Sequence, residues 1–422
     1  MKRLSPLFSW STTLAFLNAC LATAGTLNWP EFRGPNGQGI SEAVDVPAEL
    51  SLEKNLVWKT KIPGKGWSSP VIVDGTIVLT TASEEPVDGQ YQLSVMALEA
   101  ESGKLLWEKM VLEPKEEEAS QLHYKNSLAS PTAIIADGVV YAHFGHMGTV
   151  ALRLSDGEPI WRQKIAYRPL HGGGGSPILV DGLLVYNQDA RDYPFVTALD
   201  AKTGELAWQT SRNYNARRKF SFSTPLLVNN QGRSEIISAG SGIIAGYRPQ
   251  DGQEIWRVTF DEGFSLTPRP IEAKSILYFS TGFMRPSFYA IRLDGATGDL
   301  TKSHVEWTTH SSMPKTPSPT YSKGMVFTLE DAGRLSCLDA KTGELLWMEP
   351  LKANFSASPV LVGDTLYCVS EEGAFMSISI SRKGPRILSR VEFGEEALAS
   401  PAIVNGAIYQ RTHSHLWKFA KR

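Results

Sequence analysis

The chain has 422 residues, 42% of them hydrophobic and 20% charged, which places it in the ordinary globular range with material for a large core. Its 42 basic side chains against 44 acidic ones offer nothing that would gather a polyphosphate, which argues against nucleic acid as a partner. Gly 36 and Pro 25 point to many turns rather than to long helices.

In chain order, residues 1–24 read as an export signal: a basic start, an apolar stretch from Leu7 to Ala24, and the small pair Ala22 and Ala24 before Gly25. "LNAC" offers a second reading, a lipid anchor on Cys20. The expected mature chain is periplasmic or secreted, and no later stretch is long and apolar enough to span a bilayer. Residues 25–54 form an N-terminal extension outside any repeat, and its pattern leaves open whether it packs on the main domain or plugs it.

From residue 55 to 422 two markers recur. One is a Ser-Pro or Thr-Pro ahead of alternating apolar residues, at Pro70, Pro131, Pro177, Pro225, Pro268, Pro319, Pro359 and Pro401, with a spacing of about 47 residues. The other is a Thr-Gly type turn leading to Trp, as in "ALDAKTGELAW" ending at Trp208 and "CLDAKTGELLW" ending at Trp347, with weaker forms at Trp107, Trp161, Trp256 and Trp307. Each unit reads as four short strands joined by turns, so the expected fold is all-β, an eight-bladed β-propeller of four-stranded antiparallel blades. Asp and Thr oxygens can hold the turn's N–H groups, and Gly204 or Gly343 can take positive φ. The Trp is expected to fill the space between neighbouring blades. After Pro401 only three strands remain, whereas "NLVWKTKIPG" around Trp58 is an orphan, so the N-terminal strand should complete the last blade.

The Ala-x-Asp-x-x-Thr-Gly-x-x-x-Trp pattern, met at Ala198 to Trp208, resembles the repeats of pyrroloquinoline-quinone (PQQ) dehydrogenases and of their non-enzymatic relatives. With an export signal and eight blades, the chain is most similar to the BamB-type propellers, the lipoproteins of outer-membrane assembly. "NWPEFRGPNGQG", from Asn28 to Gly39, resembles the leader of exported planctomycete-type PQQ-like propellers. The dehydrogenase resemblance would imply PQQ and calcium, with adjacent cysteines in a disulfide and a Glu, Asn and Asp around the metal beside a catalytic Asp. This sequence has no adjacent cysteine pair and no recognisable carboxylate set, so neither cofactor is expected. Cys337 and Cys368 read as buried thiols rather than as a pair.

Loops between blades, and between second and third strands, emerge on one face and carry most of the histidines. His123, Lys125, Asn126, His143, His146 and His171 are expected near the central funnel. His143-x-x-His146 can supply two metal ligands, yet loop histidines bonded to carbonyls are the plainer reading, and no metal is expected. The glycines of "HGGGG", from His171 to Gly175, suggest close backbone approach rather than an anion cradle. Arg217, Arg218 and Arg285 are candidate ligand-binding cations, with Phe222 or Phe288 as a stacking surface. The acidic run Glu113 to Ser120 reads as an exposed loop. The expected function is an exported, non-catalytic scaffold for an envelope protein or an extracellular polymer. A PQQ-dependent oxidoreductase and a carbohydrate-active or metal-dependent enzyme using the rim histidines are the alternatives.

Overall fold

The computed structural model describes residues 27–421 other than 120, 121, 191, 192, 215, 217, 262 and 312. The export signal, its cleavage point, Cys20 and Arg217 lie outside the described residues. Eight antiparallel sheets form a propeller ring, each sheet running outward from a Pro-led inner strand. Blade 1 illustrates the plan: Val71–Val73, Thr76–Ala82, Leu93–Glu99 and Leu105–Leu112 follow one another as a meander. The last blade joins Ala402–Val404, Ala407–Arg411 and His415–Ala420 to Leu56–Lys61, with Lys59 opposite Trp417. The expected closure by the N-terminal strand is therefore what the chain does, and it leaves no open sheet edge between the first and last blades.

The two repeat markers have distinct physical jobs. In the Thr-Gly turn, Asp200 Oδ1 accepts the N–H groups of Lys202 at 2.8 Å and Thr203 at 2.9 Å. Gly204 stands at φ 76°. A Cβ there would lie 2.6 Å from Trp161 of the preceding blade, so the glycine serves both the turn and the docked indole. Indole N–H groups donate into the next blade's turn from Trp58 to Ala100 O at 3.3 Å, Trp107 to Leu154 O at 2.9 Å and Trp161 to Ala201 O at 2.9 Å. Trp208 to Pro249 O at 2.8 Å, Trp307 to Ala340 O at 3.1 Å and Trp347 to Ser381 O at 2.8 Å continue the series. A β-bulge just before each of these tryptophans turns its side chain toward the seam.

Two seams depart from this plan. Trp256 turns back to its own blade, where it packs over Gly246 and donates to the buried Glu235 carboxylate at 2.6 Å. The longer connection in the next blade instead adds Gly298–Asp299 as an extra parallel strand on the outer edge. Blade 7 carries Ser389 at the tryptophan position, because its neighbour's turn is interrupted by the chain ends. The extension compensates there: Leu50 N–H donates to Ser389 Oγ at 3.0 Å, and Tyr367 Oη–H donates to Pro47 O at 3.1 Å.

The Ser/Thr-Pro marker builds an inner belt. Ser69 N–H donates to Thr132 Oγ1 at 3.0 Å, Thr132 N–H to Ser176 Oγ at 2.9 Å, and Ser176 N–H to Thr224 Oγ1 at 3.0 Å. Across the ring, Arg269 N–H donates to Ser318 Oγ, Ser318 N–H to Ser358 Oγ and Ser358 N–H to Ser400 Oγ, each at 2.9 Å. A small hydroxyl residue satisfies the neighbouring blade's buried N–H where a larger side chain would block the channel.

The extension plugs that channel. Leu27 and Asn28 bond the Asn405 and Asp74 turns, and Trp29 pairs with Ile72 of blade 1. The chain then crosses the axis: Arg269 of blade 5 donates to Phe32 O at 2.6 Å and Glu31 Oε1 at 3.2 Å, while Arg33 donates to Pro319 O at 2.6 Å. Ile40–Ser41 finally joins blade 7 as a parallel strand. Burial raises the Glu31 carboxyl against the pull of Arg269, and burial lowers both guanidiniums, Arg33 to about 9.

Candidate functional site

With the channel plugged from one face, the other face holds a blind funnel of about 690 Å³ with Phe32 at its floor. Hydroxyls of the belt, among them Ser69, Ser176 and Thr224, ring its lower wall. The upper wall comes from loops that the repeat does not specify.

His123, Lys125, Asn126, His171, Arg218 and Phe222, all singled out in the sequence, line this funnel together. Asn126 Nδ2 donates to His171 O at 2.8 Å and Gly173 O at 3.2 Å, tying the loop before blade 2 to the loop before blade 3. Burial lowers the pKa of both histidines, and the neighbouring His171 and Lys125 charges add to the effect at His123. Gly174 also lines the funnel, and Gly173 approaches Gly145 so closely that a Cβ would sit 2.7 Å from its Cα. Backbone packing explains the glycine run.

Other expectations are corrected. His143 and His146 are not among the funnel's lining residues: His143 is buried, sits 2.8 Å from Thr149 Oγ1 and meets Tyr186 with its ring tilted by 35°, while His146 Nε2 lies 2.6 Å from Glu118 O. Burial, with a smaller contribution from His146, pushes the His143 ring down to about 3, so it is neutral. Among the described residues no group of three or more His, Cys, Asp or Glu side chains converges as a metal set. Phe288 is fully buried against Trp307 and offers no free face. Arg285 stands on the turn after Phe283, outside the funnel lining, at φ 54°. The acidic run is not only loop, since Glu116–Ala119 forms one helical turn and Glu118 pairs with Lys164 at 2.8 Å.

The sequence places Lys125 near the funnel but carries no signal for its partners, nor for a second feature. First, Lys125 reaches across the funnel mouth from the loop before blade 2 to blades 6 and 7, with its Nζ 2.6 Å from Glu371 Oε1 and 4.0 Å from Asp331 Oδ1. Burial alone would lower its pKa, but the Glu371 hydrogen bond and both carboxylate charges outweigh that and leave it raised. Asp331 further accepts Lys315 N–H at 2.9 Å and Thr316 Oγ1–H at 2.6 Å. Second, aromatic side chains from four inter-blade loops and one intra-blade loop touch in sequence. Tyr124 meets His123 at 4.4 Å, His123 meets His171 at 5.4 Å and His171 meets Phe220 at 5.6 Å. Phe220 meets Phe264 at 5.6 Å and Phe264 meets Phe283 at 5.7 Å. Tyr124 is 79% exposed and Phe283 48%, so the ladder surfaces at both ends.

Known proteins share this architecture. A family model described as outer membrane protein assembly factor BamB matches residues 50–172, 168–283 and 291–409. The chain is 27% identical over 214 residues to the factor of that name from Legionella pneumophila, covering 49% of this chain and 50% of the relative. It is 22% identical over 283 residues to that of Yersinia pestis, covering 57% and 66%. The matches thus span about half to two thirds of the length of these relatives. Among solved structures, BamB from Moraxella catarrhalis superposes with a TM-score of 0.62 at 15% identity, covering 86% of this chain and 97% of that one. A europium-containing methanol dehydrogenase gives 0.72 at 11% identity, covering 93% and 98%, a likeness of fold alone.

Proposed function

Because the chain belongs to the family described as outer membrane protein assembly factor BamB, we propose that it is an exported, non-catalytic propeller scaffold whose loop-rich face binds a protein partner in the cell envelope. The observation that carries this reading is the aromatic ladder around the funnel, which surfaces at Tyr124 and Phe283. Exposed rings clustered on one face are the composition of a binding surface.

The oxidoreductase alternative needs carboxylates free to hold calcium beside a quinone. Glu371 is hydrogen-bonded to the Lys125 ammonium at 2.6 Å and Asp331 lies 4.0 Å from it, so a cation of this chain already stands between the two carboxylates. Cys337 and Cys368 are separate buried free thiols, each pushed up to about 12 by burial. Both observations favour the scaffold reading over the oxidoreductase one.

Immobilised mature protein should retain the outer-membrane β-barrel assembly complex from its own host's envelope. Tyr124→Glu combined with Phe283→Glu should abolish that retention with the thermal midpoint unchanged. Undiminished retention by the double variant would remove the ladder from the binding surface. Saturable PQQ uptake in the presence of calcium would favour the oxidoreductase instead.

A further inference from the structure

The ladder is not electrically neutral. The Arg218 guanidinium lies 4.4 Å over the Phe264 ring, and Lys315 Nζ lies 5.4 Å from the centre of the Phe283 ring. Phe264 and Phe283 are adjacent, joined by a pair of backbone hydrogen bonds at 3.3 and 2.8 Å. Two cations thus stand over neighbouring aromatic faces. Among the described residues, neither has a carboxylate partner, in contrast to Lys125, which is matched by Glu371 and Asp331. Among the described residues, Asp331 is the one carboxylate in the funnel lining, and it is already occupied by Thr316 and by the Lys315 and Thr316 amides. Among the described residues, the unspent charge on this wall is positive.

Geometry distinguishes between anionic ligands. Successive aromatic rings meet edge to face, at 76° between His123 and His171, 80° between His171 and Phe220, 75° between Phe220 and Phe264, and 78° between Phe264 and Phe283. A sugar chain stacks on flat, similarly oriented platforms, which this alternation denies it. Aromatic side chains of a peptide can continue an edge-to-face series.

We propose that the funnel mouth receives an extended peptide segment of the partner that combines acidic and aromatic side chains, its carboxylates at Arg218 and Lys315 and its aromatic rings against Phe264, Phe283 and Phe220. This assignment deepens the scaffold reading and rests on it. Because each cation stands over a ring of the ladder, both lie on one wall, and an extended backbone brings acidic and aromatic residues to it together when they are two positions apart.

The test uses the mature protein with labelled peptides, read by fluorescence anisotropy at low salt. A Glu-Phe peptide with Glu and Phe two positions apart, separated by Ser, is expected to bind about tenfold or more tightly than the matching Lys-Phe peptide, with the difference shrinking in about 0.5 M salt. Arg218→Glu with Lys315→Glu should reverse the preference. Phe264→Leu, which keeps an apolar side chain but removes the aromatic ring, should weaken the Glu-Phe peptide about tenfold. Thermal midpoints verify that each variant is folded. Equal affinity for the two peptides, or indifference to the charge reversal, would overturn the proposal. So would binding of an oligogalacturonate with no binding of the Glu-Phe peptide, which would assign the funnel to an anionic polysaccharide. Retention of the assembly complex by a protein that binds neither peptide would leave the scaffold standing and sink only this segment.

Discussion

Replacing Gly343 with alanine separates the two demands placed on the turn glycines. Gly343 has φ 73°, and an added Cβ would lie 2.5 Å from Cε3 of Trp307, the indole docked from the preceding blade. The left-handed backbone alone costs an alanine about 1–2 kcal/mol. Forcing Trp307 outward adds roughly 1–3 kcal/mol of overpacking. Its hydrogen bond to Ala340 O, 3.1 Å long, would go as well, at about 1 kcal/mol. The expected loss for Gly343→Ala is therefore about 3–6 kcal/mol. Gly324 provides the control, since it has φ 77° but nothing within 4 Å of where an alanine methyl would stand, so Gly324→Ala should cost only the backbone part, about 1–2 kcal/mol. Urea denaturation followed by tryptophan fluorescence measures both, and Trp307→Ala in the Gly343→Ala background should recover the clash as a coupling energy. Equal costs at the two glycines, or no coupling to Trp307, would refute seam docking as the reason for the repeated Gly and Trp.

Three further outcomes follow from buried charge. Glu31→Gln leaves Arg269 and Arg33 buried together without a carboxylate, and should destabilise the folded protein by about 3–5 kcal/mol in urea titration. His143 is held neutral in the folded state down to about pH 3, whereas the unfolded chain takes up its proton near pH 6.5. Folding stability should thus be lost on acidification below about pH 6.5 by up to about 1.4 kcal/mol per pH unit, and His143→Gln should remove that slope between about pH 6.5 and 5. Lys125→Ala exposes Glu371 and Asp331 to each other, and the variant should gain a calcium-dependent rise in thermal midpoint that the parent protein lacks.

The architecture was legible because its determinants are local. Thr-Gly turns, the tryptophans that follow them and the Ser/Thr-Pro leads are each written in a few consecutive residues, although the contacts they make reach the neighbouring blade, and the surplus strand at Trp58 matched the deficit after Pro401. The exceptions arise from what a repeat cannot encode. Trp256 is captured by Glu235, 21 positions back, and blade 7 has lost its tryptophan where the chain ends leave no turn to receive it. The site was half legible. His123, Asn126, His171 and Arg218 were singled out as rim residues, and the funnel gathers them. His143 was misplaced because an alternating strand hides whether its last side chain points to the channel or to the next blade. Lys125 and Glu371 are 246 positions apart, and the aromatic ladder draws single side chains from loops without a shared motif. No spacing rule joins them. The plug was equally hidden, since Glu31 finds Arg269 at 238 positions' remove.

Hydrogen exchange of the mature protein, free and bound to its host's β-barrel assembly complex, measures most directly which face is used. Slowed exchange in the loops carrying Tyr124, Phe264 and Phe283, with the turns at Asp74, Gln231 and Asn405 unchanged, is the predicted result. Protection confined to those three turns, on the face where the N-terminal extension enters, would contradict it.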